Sequence, residues 1–125
     1  MTENEISFKI RGAIFKVYNA LGPGLLESAY EAVLSYELTQ MGLYVKTQVP
    51  LPVIYNEIKL DIGYRLDLLV EDKVIVELKS IENITEVHHK QIITYLKLSC
   101  KKLGLLVNFN THDIEHSIFR KVNGL

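Results

Sequence analysis

Apolar side chains recur at helical spacing near the start of the chain. Ile6, Ile10, Ala13, Ile14, Val17 and Tyr18 predict a first helix over residues 4–20. Leu21-Gly22-Pro23-Gly24 then enforces a tight, irregular turn. A second helix is expected over about 25–41, with Leu26, Ala29, Tyr30, Val33, Leu34 and Met41 as its buried stripe and Gly42 as its cap. Glu27 lies at the edge of that stripe in the first turn, where the helix dipole tolerates an acid. Glu37 falls inside the stripe. A buried acid needs a partner, and Arg65 is a candidate for either glutamate. Beyond Leu43 the pattern changes to alternation broken by Pro50 and Pro52. It predicts strands over 44–49 and 52–60, with a turn near Asn56-Glu57 and an edge or bulge at the prolines.

The most informative alternation runs from Gly63 to Ser80. If Val70 pairs with Val74 across Glu71-Asp72-Lys73, then Leu68 faces Val76 and Leu66 faces Leu78, giving one wholly apolar face. On the other face Leu69 meets Ile75, Asp67 meets Glu77 and Arg65 meets Lys79. A slip of one residue would set Asp67 against Leu78 and scramble both faces. Two carboxylates directly opposite each other destabilise a sheet. A divalent cation is the economical way to offset that repulsion. Lys79 points to the same side as Glu77, because strand side chains repeat every second residue. The competing structural reading is a salt-bridge lattice in which Arg65 and Lys79 neutralise the acids along the diagonals.

Thr85 is a good N-cap for a third helix over about 86–102, with Ile92, Ile93, Leu96, Cys100 and Leu103 on its apolar stripe and Gly104 ending it. Gln91 and Tyr95, one turn apart, share a different edge. Leu105-Leu106-Val107-Asn108-Phe109 reads as a strand buried on both faces. Strand, helix and strand in that order suggest a parallel crossover unit. Residues 114–122 are expected to add a last strand. The sum is an α/β fold with a mixed central sheet flanked by helices.

Composition narrows the classes. The 125 residues suit a single domain, 1–125, and 48% apolar with 23% charged residues is ordinary for a soluble protein. No apolar run is long enough to span a bilayer, and the acidic N-terminus has no leader core, so a cytoplasmic location is expected. Cys100 is the sole cysteine, which rules out an internal disulfide and a cysteine zinc cluster and suggests a packed thiol. A net charge of −1 argues against coating nucleic acid by charge alone. Lys90, Lys97, Lys101 and Lys102 read as a solvated helix face. His88 and His89 are adjacent, so they lack the spacing of a helical metal pair and mark a helix start near the surface. Tyr30 and Tyr95 read as packing residues with satisfied hydroxyls.

The string LGPGLLESAYE carries Gly24, Glu27 and Tyr30 in the order of the GxxExxY signature. TQVPLPVIY, YRLDLLVEDKVIVELKS, QIITYLKL and LGLLVNFN follow in sequence. Over roughly residues 6–120 the chain resembles the GxxExxY proteins, a family of the PD-(D/E)XK nuclease-like superfamily. The resemblance implies a restriction-endonuclease-like core in the order helix, three strands, helix, strand. It implies that Asp67 is the metal-binding aspartate, that Glu77 and Lys79 are the E-x-K pair and that Glu27 is the helix acid. Asp67, Glu77, the Leu78 carbonyl and Glu27 would then hold Mg²⁺ or Mn²⁺, with Lys79 beside the attacking water. Gln91, Arg65 and Tyr95 would contact substrate, which would be DNA or RNA. Many relatives carry Val-His before the LGPG turn, whereas this chain has Val17-Tyr18, which weakens any role for a histidine at that position. The activity implied is metal-dependent phosphodiester hydrolysis. The alternative is a silent scaffold acting as an interaction module, a homodimer built on the first two helices, for instance.

Overall fold

Helix α1 (Glu3–Leu21) begins at Thr2, whose hydroxyl accepts the Glu5 N–H at 3.2 Å while the Glu5 carboxylate reaches back to Thr2, a capping box. Helix α2 (Glu27–Gln40) follows the Gly-Pro-Gly turn. Strand β1 (Val45–Pro50) leads to a small hairpin of β2 (Val53–Tyr55) and β3 (Ile58–Leu60). Then come β4 (Arg65–Val70), β5 (Val74–Lys79), α3 (Glu86–Ser99), β6 (Leu103–Asn108) and β7 (Ile118–Val122), the last preceded by a short 3-10 turn at Ile114–Ser117. This computed structural model describes residues 1–125.

The main sheet has five strands in the order β1-β4-β5-β6-β7. Only β5 and β6 are parallel, and the other neighbours are antiparallel. This is the mixed α/β sheet expected, and the parallel pair is joined through α3 as the strand–helix–strand pattern requires. One face carries α1 and α2, whose Ile6, Ile10, Ile14, Tyr30, Leu34 and Leu38 pack on Leu68, Val76 and Leu78. On the other, Tyr95 and Leu96 of α3 pack on Leu66, Leu69 and Ile75. Strand β6 is buried along its whole length. The β2–β3 hairpin stands apart as its own sheet, turning at Asn56 and Glu57 with φ of 50° and 67°. No helix is long and apolar enough to cross a membrane.

Several expectations need correction. Leu26 does not join the buried stripe of α2. It is the N-cap, in extended backbone, and 77% exposed. Met41 lies beyond the last helical residue and is also exposed, so the stripe is Tyr30, Leu34 and Leu38. Gly104 does not end α3. Cys100 does so by taking a left-handed conformation, φ 58°, which also turns its thiol outward rather than into the core. Gly104 lies inside β6, where an added Cβ would meet Ile92 Cδ1 at 3.0 Å. Arg65 serves neither Glu27 nor Glu37. It pairs with Asp61 at 3.2 Å, and Glu37 pairs with Lys16 at 3.0 Å.

The Gly-Pro-Gly turn is fastened from α2. The Tyr30 hydroxyl donates to the Gly22 carbonyl and accepts the Leu25 N–H, and its ring stacks on Phe109 with centroids 4.2 Å apart. The Ser80 hydroxyl donates to the Leu25 carbonyl from the end of β5. Together these hold the start of α2 over the sheet. Tyr30→Phe keeps the stack but leaves both loop groups without their partner. It is expected to lower stability by about 1–2 kcal/mol in urea unfolding, with an unchanged far-UV spectrum.

Candidate active site

The sheet forks between β4 and β5. Their ladder runs from Val70 opposite Val74 to Leu68 opposite Val76 and stops there. Strand β4 continues alongside β1 to Arg65, and β5 continues alongside β6 to Lys79. The expected pairs Leu66–Leu78, Asp67–Glu77 and Arg65–Lys79 are therefore not formed as backbone pairs. Leu66 lies with Leu69, Ile75 and Tyr95 instead of sharing a face with Leu68. Two carboxylates fill the fork. Asp67 N–H donates to Glu77 Oε1 at 3.1 Å, and Leu78 N–H donates to Asp67 Oδ2 at 2.9 Å. Each acid thus satisfies a backbone donor that the parted strands leave unpaired.

Glu77 is 4% exposed. Burial first, and the neighbouring Asp67 charge second, push its carboxyl up to about 8, against the opposing pull of the Asp67 N–H and the Lys79 ammonium. On the α3 side, Gln91 Nε2 donates to the Tyr95 hydroxyl at 3.1 Å, and the buried Tyr95 ring meets Tyr64 at a centroid distance of 5.8 Å. The Tyr95 hydroxyl is held above its usual range by burial and then by the Glu77 charge.

On the α2 side a polar cleft of about 190 Å³ opens above the fork. Asp67, Leu78 and Lys79 supply its sheet wall, and Glu27, Ser28 and Glu31 supply its helix wall. Gln48 of β1 joins them. It lies in register opposite Asp67, between the pairs Thr47–Leu68 and Val49–Leu66. Its Nε2 donates to Glu31 Oε1 and, at 3.3 Å, to Asp67 Oδ1. Gln48 adopts φ 49°, a left-handed conformation in the middle of a strand that costs a non-glycine residue on the order of 1–3 kcal/mol. Burial, followed by the Asp67 charge, raises the Glu31 carboxyl above its usual range, and only Gln48 opposes this.

Glu27, Asp67, Leu78 and Lys79 thus line one cleft, with Glu77 buried beside Asp67. Gln91 and Tyr95 approach from α3. Arg65 is engaged by Asp61 and, at 2.8 Å, by the Tyr64 carbonyl. Sequence reasoning missed Glu31, Ser28 and Gln48. Glu31 had a signal, since it lies one helical turn beyond Glu27 and so shares its face. Gln48 had none, because a left-handed backbone at a non-glycine position leaves no mark on residue type. The donor set is all oxygen, crowded and short of positive charge, which fits a hard divalent cation. No three acidic, histidine or cysteine side chains yet stand close enough to enclose an ion together.

A family model described as the PD-(D/E)XK nuclease superfamily matches residues 4–121. No curated protein and no solved structure matches the chain.

The Glu77 geometry has a pH signature. A raised acid binds its proton more tightly in the folded state, so its contribution to stability is full below about pH 4.5 and is lost as pH climbs through about 8. In EDTA the melting temperature of the protein is expected to fall steadily over that window. Glu77→Gln should flatten the fall, and parallel curves for the two proteins would refute the assignment.

Proposed function

The chain belongs to the PD-(D/E)XK nuclease superfamily, and from that premise we propose that it is a divalent-metal-dependent nuclease hydrolysing phosphodiester bonds of DNA or RNA. It would act in the cytoplasm as one domain, and the Gly24–Tyr30 string supports a place among the GxxExxY proteins. The reading is carried by one observation. Two acids, Asp67 and Glu77, are wedged together where β4 and β5 part, beside a cleft whose only cationic side chain is Lys79.

Asp67, Glu77 and the Leu78 carbonyl would hold Mg²⁺ or Mn²⁺, and Glu27 would add a ligand directly or through water. Such an ion, when bound, polarises a phosphate oxygen and makes water a stronger acid. Lys79 would orient the attacking water and stabilise negative charge developing on the phosphoryl group. The clasp of Tyr30 on the Gly22–Leu25 turn would keep Glu27 aimed at the cleft. Gln91, braced by Tyr95, and Arg65, released from Asp61, would contact the substrate edge. A second reading, a silent scaffold that binds partner proteins or itself, draws on exposed apolar side chains. They include Phe8 and Leu26 near the first two helices and Ile54, Tyr55 and Ile58 on the hairpin. It predicts no uptake of metal.

Isothermal titration with Mn²⁺ separates the two. The wild-type protein should bind, and Asp67→Asn should weaken binding about tenfold or more. Equal binding by both, or none by either, would sink the metal site. Lys79→Ala should retain Mn²⁺ affinity yet lose about 100-fold in cleavage of plasmid DNA or a structured RNA. Undiminished cleavage would remove Lys79 from the mechanism.

A further inference from the structure

A second cleft opens beside Asn108, the β6 partner of Lys79. It is lined by Asn83 and Glu82 from the segment after β5, Asn110 and Thr111 from the segment after β6, and Ser117 and Phe119 leading into β7. Both clefts sit at the carboxyl ends of the parallel pair β5 and β6, where α/β sheets place their ligands. Lys79 and Asn108 are direct neighbours across that pair, so the second cleft starts one strand away from the first.

Its floor is preformed. Asn108 is 5% exposed and turns its carboxamide to local backbone. Its Oδ1 accepts the Ile81 N–H at 3.1 Å and the Asn110 N–H at 3.2 Å, and its Nδ2 donates to the Ile81 carbonyl at 2.9 Å. The Phe109 N–H donates to the Lys79 carbonyl at 2.9 Å and ties the same loop to the first cleft. Thr111 and Ser117 are also committed, to each other and to the Asp113 backbone. Asn83 and Asn110 carry carboxamides with no protein partner among these bonds, and both are exposed to the cleft mouth.

The chemistry of the lining selects its ligand. Glu82 is the only charged group, so an anion is disfavoured. Two free carboxamides offer paired donors and acceptors, the arrangement that reads a base edge. Phe119 and Ile84 offer apolar surface against which a flat ring can rest. The geometry points to a nucleobase subsite: the base of a single-stranded nucleotide next to the scissile phosphate, held by Asn83 and Asn110 while its phosphate faces Lys79. A paired base inside a duplex would present neither its face nor its full edge to this cleft. This rests on the nuclease reading and adds to it a preference for unpaired strands.

Fluorescence anisotropy in EDTA, which prevents cleavage, tests it with labelled single strands of DNA and of RNA. The wild-type protein should bind one of them. The double variant Asn83→Ala/Asn110→Ala should bind about tenfold more weakly, with an unchanged melting temperature. A strand made abasic throughout should bind the wild-type protein as weakly as the normal strand binds the variant, and duplex should compete poorly. If the wild-type protein binds but neither the variant nor the abasic strand loses affinity, the subsite is wrong and the nuclease reading stands. Competition by duplex equal to that by single strand overturns the subsite in the same way. If neither strand binds, while the Mn²⁺ titration also fails, the nuclease reading falls with it.

Discussion

The fork between β4 and β5 governs this structure. A mixed sheet closes its ladders with backbone pairs, and each pair left open inside the protein costs free energy unless another group takes it. Here the ladder opens after Leu68 and Val76, and the side chains of Asp67 and Glu77 take over the exposed donors of the opposite strand. Carboxylates are strong acceptors of N–H bonds, so the exchange closes the fork. It also buries Glu77 beside a second acid. That burial first, and the Asp67 charge second, raise the Glu77 carboxyl to about 8, against the pull of the Asp67 N–H that closes the fork.

The rest of the fold converges on that point from both faces. Tyr30 stacks on Phe109, Phe109 bonds Lys79, and Ser80 bonds Leu25, so the first turn of α2 and the end of β5 are held as one unit. From β1, Gln48 accepts a strained backbone to stand between Glu31 and Asp67. From α3, Tyr95 and Gln91 close the opposite side. The elements that pack the core are the same ones that carry the polar groups, and the boundary between the two roles falls at Leu66–Asp67 and Glu77–Leu78.

Much of this was legible in the sequence, and the failures have physical causes. Period and capping located all three helices, and β-patterning located every strand of the main sheet. The alternation of Leu66, Leu68 and Val70 against Val74, Val76 and Leu78 fixed the register correctly as far as Leu68. It could not show that β4 follows β1 while β5 follows β6 beyond that pair, because strand divergence depends on neighbours distant in sequence. The same limit hid Gln48, whose left-handed backbone leaves no mark on residue type. Gly104 misled because glycine commonly ends helices, whereas here it is kept small by the approach of Ile92. Glu31 was overlooked for the opposite reason: its spacing from Glu27 was plain, but only the position of β1 shows that both face the cleft.

These departures from ordinary rules fall in one small region and share a sign. Glu77 is buried and raised, Glu31 is raised by burial and then by the Asp67 charge, and Gln48 bears a strained backbone to place a neutral amide between Glu31 and Asp67. A scaffold selected for stability alone would relieve each with a lysine or arginine at Gln48 or with an apolar residue at Glu77. Instead Arg65 is bound to Asp61, and Lys79 stands as the sole cation of the cleft. Ionising these acids side by side, next to an open polar space with one lysine, is destabilising by itself. It is useful where a mobile positive charge arrives with the substrate, and in the proposed reading that charge is a divalent ion. Strain and repulsion at the fork are then the cost of a site that stays receptive until the ion enters, a trade of stability for function confined to the place where the two strands separate.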